Sequence, residues 1–255
     1  MPTDEIVSFQ INSLLEQGYF LFQNFFTQEE LTPIRKICLE ANSEWKIRFP
    51  DPNSVNSAYL TSPDFCKSKT DRESLFRFVS EIKILELAKN IIQEEVYFLN
   101  TQLFFNPGSP NKKNYWHRDL QYLGVSEEKQ KEILKSSKVY HFRIPFDPDP
   151  GLEFIPGSQS RWDTDEEYKV RMEKDPHKNY EDLPSSVRIL QEPGDLLVFS
   201  AHLIHRGIYG GSRHSFDILY TNFPDQKSNS DFFGQFPEEE ILNKLDHPEI
   251  FRQET

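Results

Sequence analysis

The sequence predicts a mainly β fold with α-helices: a double-stranded β-helix, the cupin-like jelly roll, preceded by an N-terminal helical layer. Three observations carry this. From Val96 to Asn222 short apolar runs recur, divided by turns rich in glycine and proline, the pattern of a double-sheet jelly roll. Before Val96 apolar residues recur at helical spacing behind capping residues. The chain also holds 22 Phe, 10 Tyr and 3 Trp, which suits a sheet core built from aromatic rings. All 255 residues are expected to form one domain. Its helical part spans about 1–95, its jelly roll about 96–223 and its C-terminal extension 224–255.

The elements follow in order. Residues 4–16 carry Ile6, Phe9, Leu14 and Leu15 at imperfect helical spacing, with Thr3 as N-cap and Gly18 as the glycine after the C-terminus. Tyr19 to Phe22 reads as a strand. Thr27-Gln28-Glu29-Glu30 is a capping box, and Leu31, Ile34, Ile37, Cys38 and Ala41 continue it as a helix. Residues 46–70, rich in Pro, Ser, Asn and Asp, form an irregular segment, either a lid or a surface excursion. Asp71 to Gln93 is helical, with a break near Ser80. Val96 to Phe105 is a strand that ends in the turn 106–110. A charged surface helix or loop occupies 126–138, and a second charged insertion, helical in part, occupies 161–186. The remaining strands run over Val139–Phe146, Leu152–Ile155, Val187–Leu190, Leu196–Ile204 and Arg213–Asn222.

Composition excludes several function classes. Formal net charge is −12, with no basic cluster of the size a nucleic-acid face requires. The same acidity disfavours a highly anionic substrate such as an acyl-CoA. Two cysteines, Cys38 and Cys66, allow neither a disulfide framework nor a zinc finger. A reducing, cytoplasmic compartment is the expectation. No signal peptide is recognised, and no uninterrupted apolar run approaches the ~18 residues of a membrane span.

The chemistry centres on Tyr115-Trp116-His117-Arg118-Asp119-Leu120. On a β-strand, side chains at i and i+2 share a face, so His117 and Asp119 converge on one point. That is two-thirds of the 2-His-1-carboxylate facial triad of non-haem Fe(II) oxygenases. Alone, H-x-D is a common surface pair, so the reading rests on a distant third ligand. The run Leu196–His205 offers His202 and His205. Three apart on a strand, they face opposite sides, and His205, at the strand end before Arg206-Gly207, is the better ligand. His202 is then a core histidine hydrogen-bonded by a neighbour. Arg213 opens the last strand, with Ser215 on the same face. A buried carboxylate needs such a permanently charged, forked partner.

In chain order Gln17–Phe20, Asn24–Leu31, Trp116–Leu120, Gly151–Ser158, Gly194–Phe199 and Ile204–Gly207 resemble the phytanoyl-CoA dioxygenase-like family of Fe(II)/2-oxoglutarate oxygenases, over most of the chain. The family's distal histidine stands at a fixed offset from the Gly-Asp pair, and that offset also selects His205. The resemblance implies Fe(II) on His117, Asp119 and His205, with 2-oxoglutarate and O2 as cosubstrates. Arg213 and Ser215 would take the distal carboxylate of 2-oxoglutarate. It implies release of succinate and CO2 and oxidation of a small-molecule substrate, with hydroxylation favoured over halogenation because Asp119 is present where related halogenases lack the carboxylate.

Gln102 matches a glutamine often found in the family, facing either the cosubstrate pocket or solvent. Tyr122 resembles an aromatic just past H-x-D that either flanks the substrate or packs. This chain departs from the family in three places. His205-Arg206-Gly207 replaces the common His-Gly-Ser, the segment from His205 to Arg213 is short, and Asn106-Pro107-Gly108 stands where some relatives have a lysine before Pro-Pro. Two other classes fit the same ligands: a cupin-like metal enzyme using no 2-oxo acid, and a catalytically silent binding protein.

Overall fold

The computed structural model describes residues 4–226 and 234–254. Helix α1 (Asp4–Gln17) ends at Gly18, whose φ of +89° lets its N–H reach Leu14 O at 2.7 Å. Thr3, the expected cap, and the side chains of Ile6 and Phe9 lie outside the described residues. Strand β1 is Tyr19–Phe22. Helix α2 (Gln28–Arg48) opens on the expected capping box: Glu30 Oε2 accepts from Thr27 N at 2.7 Å, and Thr27 Oγ1 accepts from Glu30 N at 3.3 Å. Strand β2 (Asn56–Ala58) is a short ordered piece inside the segment expected to be irregular. Helices α3 (Lys69–Val79) and α4 (Ile82–Ile92) are divided at Ser80, where the break was expected.

Strand β3 (Tyr97–Phe105), helix α5 (Glu127–Ser136), strands β4 (Val139–Pro145) and β5 (Asp149–Phe154), helix α6 (Asp165–Arg171) and strands β6 (Val187–Gln191), β7 (Leu196–Ser200), β8 (His205–Gly207) and β9 (His214–Thr221) follow. Six strands form one sheet in the order β1-β7-β4-β9-β3-β2, and three form another in the order β6-β5-β8. Every neighbouring pair in both sheets is antiparallel. Rings close the space between the sheets: Tyr19 stacks on Phe154 at 4.8 Å, and Phe154 meets Phe199 at 5.3 Å. The fold is the jelly roll that the turn-divided apolar runs predict.

Side-chain alternation sets the two faces of the large sheet. Phe142, Ile144, Val198, Phe216 and Ile218 join α2, α3 and α4 in the main apolar cluster. Their neighbours His141, Arg143, Phe199 and Leu219 line a cavity on the opposite face. The C-terminal segment adds Phe251 to the helical side, 5.4 Å from Phe76 and 5.3 Å from Phe98.

One expected element divides. Leu196–Ile204 is not a single strand: β7 stops at Ser200, a turn closed by Leu203 N on Ser200 O at 3.0 Å follows, and β8 begins at His205. The chain changes sheets there, leaving the six-stranded sheet for the three-stranded one. No helix among the described residues is long and apolar enough to cross a membrane.

Candidate metal centre and its cavity

The i, i+2 argument expects His117 and Asp119 on a β-strand, but the structure does not place them on a regular one. His117 makes one isolated antiparallel bridge to His205, with both N···O distances 2.9 Å. Asp119 opens a 3-10 turn (Asp119–Leu123), and its N–H reaches Ala201 O at 3.1 Å. The segment is thus tied to the two ends of the sheet-changing corner. Arg118 between them is extended, at φ −117° and ψ 143°, so alternation still operates over three residues. His117 and Asp119 face the cavity. Trp116 and Arg118 face away, Trp116 Nε1 donating to Glu181 O at 2.8 Å and Arg118 Nε to Asp163 Oδ1 at 2.7 Å.

His117, Asp119 and His205 offer three ligand atoms within 4.8 Å of one another. Asp119 Oδ1 lies 3.6 Å from His117 Nε2 and 3.8 Å from His205 Nε2. Each histidine turns Nδ1 to a backbone carbonyl, Tyr115 O at 3.2 Å and Leu203 O at 2.9 Å. A proton held on Nδ1 leaves the Nε2 lone pair aimed at the shared point. Burial, reinforced by the neighbouring His117, brings the His205 pKa down to about 3. Burial lowers that of His117 as well. Both imidazoles are therefore neutral near pH 7, the ligand form. Burial works against the Asp119 carboxylate, but the hydrogen bond and charge of His141 outweigh it and hold the group ionised.

Behind the triad runs a chain of buried polar groups. His141 Nε2 lies 2.8 Å from Asp119 Oδ2, and His141 Nδ1 lies 2.9 Å from Asp217 Oδ2. Asp217 Oδ1 accepts from Arg143 Nε at 2.7 Å. Burial opposes a charge on His141, yet its two carboxylate hydrogen bonds raise its pKa to about 9. The His141 ring also stacks on Phe199 at 4.5 Å, which fixes its plane. His141 and Arg143 sit two apart on β4, with Asp217 directly across from Arg143 on β9.

His202 occupies the turn between β7 and β8, with Nε2 3.2 Å from Ser137 Oγ. Burial lowers its pKa to about 4. The parity argument that separated it from His205 does not apply, because no single strand carries both. The corner separates them instead.

Arg213 immediately precedes β9. Its Nε lies 3.3 Å from Asp149 Oδ2, which also accepts from Ser215 Oγ at 2.5 Å. Arg213 lines the cavity, whereas the Ser215 hydroxyl, expected to face the cosubstrate, is committed to Asp149. Gly207 makes room for this arginine: a Cβ there would stand 2.8 Å from Arg213 Nη2. Arg206 points away, with Nε on Glu153 at 2.5 Å and Nη2 on Asp182 at 2.6 Å, its guanidinium 4.5 Å above the Trp116 ring.

The cavity has a volume of about 710 Å³ and collects His117, Asp119, His205, Arg143, Arg213, Gln102 and Tyr122 in its wall. Gln102 faces inward and accepts from Asn56 Nδ2 at 3.1 Å. Tyr122, 58% exposed, flanks the mouth with its ring 5.6 Å from that of His117. His141, Arg143, Asp149 and Asp217 were not singled out in the sequence. Alternation in Tyr140-His141-Phe142-Arg143-Ile144 carries a signal for two of them, since ionisable residues every second position inside an apolar strand must be paired.

The model of the family described as phytanoyl-CoA dioxygenase (PhyH) matches residues 14–209. Ectoine dioxygenases of Bordetella bronchiseptica and Bordetella parapertussis are each 25% identical over 134 residues, covering 49% of this chain. The match spans 40% of those relatives' own length. Among solved structures, EctD from S. alaskensis with 2-oxoglutarate and 5-hydroxyectoine superposes with a TM-score of 0.59 at 15% identity, over 86% of this chain and 78% of that one. The epimerase SnoN in complex with Fe3+, alpha ketoglutarate and nogalamycin RO does so with a TM-score of 0.58 at 13% identity, over 86% and 84%. At such identities the likeness is one of fold.

Proposed function

This chain belongs to the phytanoyl-CoA dioxygenase family, and from that premise we propose that it is an Fe(II)/2-oxoglutarate-dependent dioxygenase acting on a small-molecule substrate. The observation that carries the reading is the convergence of His117 Nε2, His205 Nε2 and Asp119 Oδ1 at the wall of a cavity that also holds Arg213. Two neutral imidazoles and one ionised carboxylate are the donor set of non-haem iron sites. His117, Asp119 and His205 would hold the iron, and the residues present fit it. When bound, Fe(II) supplies the O2 chemistry that couples decarboxylation of 2-oxoglutarate, giving succinate and CO2, to oxidation of a substrate C–H bond. Asp119 retains the carboxylate ligand, which favours hydroxylation over halogenation.

The chain's own groups divide the remaining work. Arg213 takes the distal carboxylate of 2-oxoglutarate, and Ser215 contributes by fixing Asp149, which holds that arginine. Gln102 walls the cosubstrate side, and Tyr122 borders the substrate at the mouth. Among the described lining residues, the exposed Tyr122, Leu123 and Phe223 carry no formal charge. An uncharged substrate portion with an apolar body suits these walls. The reading takes residues 1–255 as one oxygenase domain. Free thiols at Cys38 and Cys66 support a cytoplasmic setting.

The test is anaerobic titration of the Fe(II) protein with 2-oxoglutarate, following the metal-to-ligand charge-transfer absorbance, then a screen for substrate-stimulated succinate release. Saturable absorbance and stimulated succinate support the reading. Iron binding without 2-oxoglutarate binding would make the protein a metal enzyme of another kind. No metal binding would make it a silent binding protein.

A further inference from the structure

Arg143 is a fully buried cation with a role still to be assigned. It is 1% exposed and lines the same cavity as Arg213. Among the described residues, Nε is the only guanidinium nitrogen of Arg143 with a hydrogen-bond partner, Asp217. Its Nη1 is buried without any acceptor. Arg213 repeats the pattern, with Nε on Asp149 as its hydrogen bond.

The two acids that neutralise these arginines are saturated elsewhere. Asp217 gives one oxygen to Arg143 and the other to His141. Asp149 Oδ2 serves Arg213 Nε and Ser215 Oγ, and Asp149 Oδ1 accepts from Gly151 N at 2.8 Å. Each arginine is held by its Nε, and among the described residues no hydrogen bond holds the terminal nitrogens of either. An unpaired buried donor such as Arg143 Nη1 is costly, so two forks in the wall of one cavity fit an anionic ligand with several lone pairs.

Both forks border one aromatic ring. The Arg143 guanidinium is 4.1 Å and that of Arg213 is 5.9 Å from the centre of the same Phe104 ring. Spacing from the metal ligands also fits. His141 holds Asp119, and Arg143 follows it by one strand repeat, about 6.6 Å along β4. That step is comparable with the length of a five-carbon chain.

We infer that Arg143 is a second guanidinium for the distal carboxylate of the 2-oxo acid, seating it jointly with Arg213 and making the site selective for a dicarboxylic 2-oxo acid. The inference rests on the 2-oxoglutarate reading above. Asp217 and Asp149 act as positioning residues that hold the two forks by their Nε atoms.

The experiment is calorimetry on the anaerobic, Mn(II)-loaded protein with two probes: 2-oxoglutarate and 2-oxopentanoate, which has the same chain without the distal carboxylate. R143Q tests the arginine. R143Q/D217N removes the ion pair together, while His141 keeps Asp119 as its charged partner and the new amide oxygen can still accept from it. Metal content and the thermal transition of each variant are measured alongside. In both variants 2-oxoglutarate should weaken by about tenfold or more, the loss of one charge-assisted contact. Binding of 2-oxopentanoate should stay within about twofold, since it has no carboxylate to lose there. R213Q should reduce the same preference, and R143Q/R213Q should nearly abolish it. Full retention of the preference in R143Q and R143Q/D217N, with its collapse in R213Q, overturns the inference and leaves Arg143 as a counterion. If the wild-type protein prefers neither probe, the 2-oxoglutarate reading itself fails and the inference falls with it.

Discussion

His141 Nε2 stands 2.8 Å from Asp119 Oδ2, while Asp119 Oδ1 faces the two histidines of the triad. One carboxylate is thus divided, one oxygen to the chain of polar groups behind it and one to the point where the ligand atoms meet. The division leaves a single oxygen for a metal and fixes its direction.

This contact gives a pH dependence of stability. The His141 pKa rises from its ordinary 6.5 to about 9 in the folded protein. A raised histidine pKa stabilises fully below the unfolded value, and the stabilisation is lost as pH climbs through the folded one. The shift corresponds to about 3 kcal/mol. In the metal-free protein, wild-type stability should fall by this order relative to His141→Gln between about pH 6.5 and pH 9. Denaturant titrations of both proteins across that range check it. A constant difference at every pH would mean that His141 is not held charged by Asp119 and Asp217.

The two neighbouring histidines should separate cleanly. His205→Ala removes one of three converging ligand atoms and should abolish stoichiometric iron binding. His202→Ala loses the contact with Ser137 Oγ and some buried surface, about 1–3 kcal/mol of stability, with metal content preserved. Metal analysis of the purified variants decides between them, and equal loss in both would remove His205 from the proposed ligand set.

The sequence makes His117, Asp119 and His205 legible through ordered motifs, although two local reasons for their geometry differ from the structural ones. Alternation brings His117 and Asp119 together, but over only three residues of an isolated bridge. The selection of His205 comes from a corner between two sheets, and such a corner has no periodic signature inside Leu196–Ile204. Helix boundaries are more legible, because the capping box at Thr27 and the glycine at Gly18 are local chemistry. The partners of Arg213 and His141 are not legible in the sequence, because Asp149 and Asp217 lie 64 and 76 residues from them. Such pairings depend on strand register, which composition does not reveal.

Arg213 and Arg206 make opposite predictions. Arg213→Ala should weaken 2-oxoglutarate by roughly 30-fold or more, from a lost buried carboxylate partner of about 2–5 kcal/mol. Iron affinity should change little, since no triad member contacts this arginine. Arg206→Ala should leave the 2-oxoglutarate titration unchanged, because its guanidinium is spent on Glu153, Asp182 and the Trp116 ring. An unchanged charge-transfer titration for Arg213→Ala, with a collapsed one for Arg206→Ala, would exchange the roles.

Gly207 tests the seat of Arg213 without touching a charge. Its φ lies outside the left-handed region, so alanine meets no backbone penalty. The added methyl would stand 2.8 Å from Arg213 Nη2 and 3.4 Å from Cζ. The guanidinium end must move, since the backbone of β8 is held between β5 and the bridge to His117. Overpacking of this kind costs about 1–3 kcal/mol, and here it should appear as 2-oxoglutarate affinity reduced by about tenfold. A double-mutant cycle identifies the cause. In an Arg213→Gln background the shorter side chain leaves the space open, so Gly207→Ala should then change 2-oxoglutarate binding by less than about twofold. Calorimetry on the Mn(II)-loaded proteins measures all four corners. Fully additive losses would show that the methyl acts elsewhere than through Arg213.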